Sequence, residues 1–85
     1  LLSKNDIKDA TYVSKLVKEF YHGVKKNFKK VKKLKELKRK LIKNEVKVEY
    51  LEFRNKVNLS KQINRYNFKI FISFYINKVR LIDNF

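Results

Sequence analysis

The sequence predicts a mainly α fold: a long basic amphipathic helix over about 4–44, or to 56 if the next stretch continues it, folded back hairpin-like on a C-terminal apolar helix or strand over about 60–82. Three observations predict it. Apolar residues recur every three or four positions from Ile7 to Leu41, Pro is absent and Gly occurs once, and a second apolar-rich stretch lies near the C-terminus. The whole of 1–85 reads as a single small basic domain, because no Pro- or Ser-rich linker and no internal repeat divides it.

The first helix opens at Ser3, where Asp6 three positions on matches a capping box with Asp in place of Glu, and Asp9 adds negative charge near the same end. From there Ile7, Ala10, Val13, Val17, Phe20, Val24, Phe28, Val31, Leu34, Leu37 and Leu41 form one helical stripe. Gly23 costs about 1 kcal/mol relative to Ala but does not end a helix that has no other breaker. The helix is expected to reach about Asn44.

Residues 45–57 fit two periods. Val46, Val48 and Tyr50 alternate as in a strand, while Val46, Tyr50, Phe53 and Val57 keep a helical spacing. The helix is preferred, because Glu52 and Lys56 make a favourable i,i+4 pair, although Val and Tyr favour strands. A break falls between Asn55 and Ser60, where Asn55, Asn58 and Ser60 compete for nearby backbone groups. Asn58 or Ser60 then caps a second helix carrying Phe68, Phe71, Ile72, Tyr75, Ile76 and Val79 on one side. The strand alternative, with Phe68, Ile70, Ile72, Phe74 and Ile76 on one face, ranks second.

Composition narrows the chemistry. The chain has 85 residues, 23 Lys plus Arg against 8 Asp plus Glu, and a formal net charge of +15. Self-repulsion and small size both oppose compaction, so full folding is expected only within an assembly. With 44% hydrophobic and 14% aromatic residues the chain is nevertheless too apolar to read as disordered. Cys is absent and His22 is the single His, which removes disulfides and the usual zinc and iron–sulfur sites; no cofactor and no metal is expected. The run Phe68 to Ile76 is far short of the ~20 residues of a membrane span, so no transmembrane segment is expected. Abundant Lys, Asn, Ile, Phe and Tyr suggest an AT-rich genome.

The lysine run carries the functional reading. Between residues 25 and 43 stand Lys25, Lys26, Lys29, Lys30, Lys32, Lys33, Lys35, Lys38, Arg39, Lys40 and Lys43 against the single acid Glu36. On one straight helix they form a positive rod roughly 28 Å long, at about 1.5 Å per residue. A charge run is ordinarily a solvated helix face, but the scarcity of acids and the net charge favour a polyanion, with phosphate binding driven by counterion release. Lys outnumbers Arg nineteen to four, which favours backbone contact over base reading; Arg39, Arg54, Arg65 and Arg80 are the better candidates for structured contacts. Tyr12, Tyr21, Tyr50 and Tyr66 read as packing residues with stacking on bases as the alternative. His22 has no triad-like surroundings, the carboxylates form no informative pair, and one Gly excludes a phosphate-binding glycine loop, so no enzyme is expected.

In size and composition the chain is similar to small organellar ribosomal proteins, a likeness of composition rather than of motif. That resemblance implies a structural ribosomal protein of translation, bound to ribosomal RNA and to neighbouring proteins of a large assembly, with no small-molecule substrate. Its location would be a mitochondrial or other organellar ribosome, or otherwise a cytoplasmic one. Two alternatives stand beside it: an accessory helical subunit of a mitochondrial protein or membrane complex, binding anionic lipid or a partner helix, and a secreted membrane-disrupting cationic helix.

Overall fold

A computed structural model describes residues 2–85. The chain begins with the expected cap. The Ser3 hydroxyl accepts from the Asp6 amide and the Ser3 amide donates to the Asp6 carboxylate, both at 3.1 Å, opening α1 (Lys4–Lys26). Val13, Val17 and Val24 of the stripe are fully buried.

The single helix to Asn44 is not formed. At Asn27 the backbone turns extended (φ −141°, ψ 98°), and the Asn27 side chain accepts from the Lys29 amide at 3.2 Å, starting a 3₁₀ helix over Phe28–Lys33. Asn does this because its short amide offers the backbone a local alternative to the helical bond. The chain then re-enters an α-helix, α2 (Leu34–Lys43). A straight helix over residues 4–43 would be ~60 Å long at about 1.5 Å per residue, whereas the longest dimension of the molecule is 37 Å.

The structure also corrects the helix preferred for 45–56. α2 ends in a Schellman motif: the Glu45 amide donates to the Ile42 carbonyl and the Val46 amide to the Leu41 carbonyl, each at 3.0 Å, with Glu45 left-handed at φ 64°. Leu41 and Val46, the hydrophobic pair such a motif brings together, are both buried. The reversed chain enters β1 (Lys47–Arg54) instead of continuing the helix.

Residues 60–82 are not a second helix either. Asn55 and Asn58 do bond to nearby backbone, as the break required: Asn55 Oδ1 accepts from the Val57 amide at 2.8 Å and Asn58 Oδ1 from the Ser60 amide at 3.0 Å. They shape a loop and cap nothing helical. β2 (Lys69–Ile76) and β3 (Val79–Asn84) follow, joined by a two-residue turn in which Asn77 takes φ 55°, a conformation Asn tolerates better than most residues.

The sheet is antiparallel in the order β1-β2-β3, with a bulge at Glu49 between Val48 and Tyr50. The fold is therefore two layers, helices on one face of a three-stranded sheet, and not a helical hairpin. Ile70, Ile72, Phe74 and Ile76 of β2 meet Val13, Val17, Leu37 and Leu41 in the core. At one end Phe68, 3% exposed, packs among Tyr21, Phe28 and Phe53 with ring centroids 5.1–6.1 Å away.

Phe68→Ala is expected to cost about 3–5 kcal/mol in urea unfolding, as deletion of a fully packed aromatic does. Tyr66→Ala, on a side chain 76% exposed, should stay within about 0.5 kcal/mol of the parent. Equal costs would refute this packing.

Two carboxylates link stability to pH. Asp6 is held below its ordinary 3.8, first by the Ser3 amide and further by Asn77, whose side chain donates to it at 2.6 Å. Glu49 is held below its ordinary 4.5, first by hydrogen bonds from Arg80 (Nε at 3.1 Å) and further by the Tyr75 hydroxyl. Depressed folded values mean that the stabilisation is complete above the unfolded values and is lost as pH falls from there through the lower, folded ones. The thermal midpoint should therefore drop on acidification below about pH 4.5, and Glu49→Gln with Asp6→Asn should flatten that drop. An unchanged acid limb in the double variant would show that these exposed bonds contribute nothing to the acid response.

Candidate functional site

The structure gathers eleven of the fourteen predicted site residues into one layer but not into one rod. Lys25 and Lys26 close α1, Lys29, Lys30, Lys32 and Lys33 lie on the 3₁₀ helix, and Lys35, Lys38, Arg39, Lys40 and Lys43 lie on α2. All eleven are exposed. Among the described residues none of them forms a salt bridge; Lys25 instead sits over the Tyr21 ring at 5.6 Å. The helical break at Asn27 makes these charges a broad field instead of a straight 28 Å row.

The three remaining candidates are elsewhere. Arg54 and Arg80 lie on the outer face of the sheet, each held by a glutamate: Arg54 to Glu52 at 2.6 Å and Arg80 to Glu49 at 2.5 Å. Arg65 is exposed in the loop before β2. Of the tyrosines, Tyr21 packs on Phe68, Tyr12 is 42% exposed on α1, Tyr50 lies on the outer sheet face, and Tyr66 projects from a loop.

Several concavities of 310–350 Å³ could take a small molecule, and two of them involve the lysine layer and the ends of the helices. The first, about 350 Å³, runs between α1 and the 3₁₀ helix with α2; Phe20 and Leu37 contribute apolar lining and Lys30, Lys33 and Lys40 bring positive charge beside Glu19 and Glu36. Gly23 borders this cleft on the α1 side, where a Cβ would meet only the flexible Lys30 side chain, at an ordinary 3.7 Å. The second, about 330 Å³, lies where the start of α1, the end of α2 and the β2–β3 turn meet, lined by Asp6, Asp9, Tyr12, Asn44, Glu45 and Asn77 among others. Sequence reading had seen Asp6 and Asp9 as helix-end charges and missed their meeting with Asn77. The one local signal was Asn77 itself, the turn-forming residue between two apolar runs.

These cavities can hold ions and hydrogen-bonding groups, the first favouring anions. Neither places a nucleophile beside a base. His22 is exposed on α1 and stacks edge-on to Tyr21 at 5.5 Å. Among the described residues no three His, Cys, Asp or Glu side chains converge to hold a metal ion, and no helix is long and apolar enough to cross a membrane.

Comparison with known proteins supplies what the geometry does not. Residues 1–85 match the family model for pantoate-beta-alanine ligase. The chain is similar to the pantothenate synthetase of Ruthia magnifica subsp. Calyptogena magnifica, at 41% identity over 85 residues, covering 98% of this chain and 30% of that protein. No solved structure matches significantly. The chain thus spans less than a third of the length of its curated relative.

These matches overturn the expectation of a ribosomal, RNA-binding protein of translation. With it go the non-enzymatic reading, the accessory-subunit alternative, and the partner set of RNA and assembly proteins without a small-molecule substrate. A positive surface and an absence of catalytic motifs are properties of this chain's sequence, and neither defines its kind. The chain belongs to the pantoate-beta-alanine ligase family.

Proposed function

We propose that this chain is a portion of an enzyme that joins pantoate to β-alanine through an amide bond, yielding pantothenate. The observation that carries the proposal is the 41% identity sustained along 98% of the chain. Residues 1–85 act in this reading as one domain of that enzyme, with a shared core from both layers.

Joining a carboxylate to an ammonium releases water and is uphill in water, so the reaction needs a phosphoanhydride co-reactant such as a nucleoside triphosphate. Pantoate and that co-reactant are both anions. A net charge of +15, displayed on unpaired lysines, raises the local concentration of anions and speeds their encounter. The lysine layer, with Lys30, Lys33 and Lys40 about its cleft, serves as this attracting field, and the bond-making groups belong to the remainder of the enzyme.

The direct test replaces the matching 30% of the Ruthia magnifica protein with this chain. The chimera should form pantothenate from pantoate, β-alanine and a nucleoside triphosphate, and the same protein with the segment deleted should not. A soluble, folded chimera without activity would refute the reading. In the active chimera, changing Lys29, Lys30 and Lys33 together to Glu should lower kcat/KM for pantoate about tenfold at low salt, the lower end of steering effects, with the loss fading at high salt. A salt-independent rate unaffected by the reversal would remove the steering role.

A further inference from the structure

Among the described residues, no second layer covers the outer face of the sheet. That face runs roughly 26 Å along β2, eight residues at about 3.3 Å each. Phe71 and Tyr75 project there from β2, flanked by Tyr50 of β1 and Ile82 of β3. Ser73, between its cross-strand neighbours Tyr50 and Ile82, is fully buried, so the larger side chains close over the middle of the face. Ile82 is 58% exposed, and Leu59, 60% exposed, leans in from the β1–β2 loop to form with Tyr50, Phe71, Glu52 and Arg54 a groove of about 220 Å³.

Charge separates this face from the opposite one. Covering the helical layer would strip water from a field of unpaired ammonium groups, at several kcal/mol for each fully desolvated ion. On the sheet face both arginines already have partners, in Arg54–Glu52 and Arg80–Glu49, and Lys69 donates to Asn84 at 3.1 Å. An apolar centre rimmed mostly by partnered polar groups, with Lys47 over the Tyr75 ring at 5.3 Å and only Ser73 Oγ buried without a partner among the described residues of this face, suits an interface between domains. The 30% share leaves the other 70% of the relative's length outside this chain, and that portion must meet it somewhere.

We propose that the remainder of the ligase chain docks on the outer face of this sheet, seating an apolar side chain in the groove between Leu59 and Phe71. This rests on the family reading above. The lysine layer then stays in solvent, where its field can act.

The chain has no Cys, so single cysteines report without background once the Ruthia magnifica portion of the chimera is freed of its own. Ile82→Cys and Leu59→Cys, both exposed in the chain itself, should react with maleimide at least ~10-fold more slowly in the folded chimera than in the urea-unfolded one, as closed surfaces do. Lys32→Cys on the 3₁₀ helix should react at nearly the unfolded rate. Free labelling at 82 and 59 in a folded chimera overturns the proposal. So does protection that disappears on dilution, which would mean that a second copy covers the face. Pantothenate formation is measured on the same samples: activity without protection sinks only the docking surface, and protection without activity sinks only the catalytic reading.

Discussion

Every other element answers to the apolar side of β2. Ile70, Ile72, Phe74 and Ile76 are at most 6% exposed, and each would forgo about 1.5–3 kcal/mol if left in water. A central strand with that face needs a neighbour on each side and a layer above. β1 and β3 supply the sides, and the helical stripe supplies the layer. Because the sheet is short, the layer must be short too, so the helical region has to fold at Asn27. The Schellman motif at Asn44 to Val46 then returns the chain to pair with β2, and it does so with Glu45 in a conformation that costs a non-Gly residue about 1 kcal/mol or more. Burial of Leu41 and Val46 offsets that strain.

The same constraint distributes the charge. Positions facing β2 must be apolar, and the chain fills nearly all others on the 3₁₀ helix and α2 with lysine. The charges consequently share one side of the molecule, while the carboxylates able to pair with arginine stand on the sheet. Such exposed pairs add little stability, so their consequence is to leave the sheet face electrically quiet. One two-layer fold thus has a strongly cationic surface and a nearly satisfied one, and only the second can be covered cheaply.

What was legible in the sequence was what depends on near neighbours. Ser3 with Asp6 makes its capping box within one turn, and the apolar stripe does face the core at Val13, Val17, Leu37 and Leu41. The break at Asn27 was hidden because Val24 and Phe28 keep helical spacing across it. Residues 45–57 and 66–77 fitted both periods, and the tie was resolved by partners distant in sequence: Leu51 opposite Ile72, Phe74 opposite Leu81. Local propensity cannot see those pairs, and a left-handed Glu carries no Gly signal at the turn that makes them possible. The candidate site followed the same rule. The lysines were found as an exposed group, but Glu49, 31 residues from Arg80, had already claimed a predicted contact residue.

The functional misreading has a related cause. Counting catalytic groups excludes an enzyme only if the chain holds the whole site, and small-molecule sites are often assembled at domain interfaces. A portion that positions another portion needs shape, not nucleophiles. Its influence on rate is large all the same, since a displacement of about 1 Å at a reacting centre can cost ~100-fold. Under the proposed function, the residues that would matter to chemistry in that sense are ones no catalytic motif marks: the core residues of β2 and the aromatic and aliphatic side chains on the outer face of the sheet. A lysine-rich surface is conspicuous in a sequence because it is uniform. The proposed docking surface of Tyr50, Phe71 and Ile82 is inconspicuous because it becomes one surface only after three strands have been placed side by side.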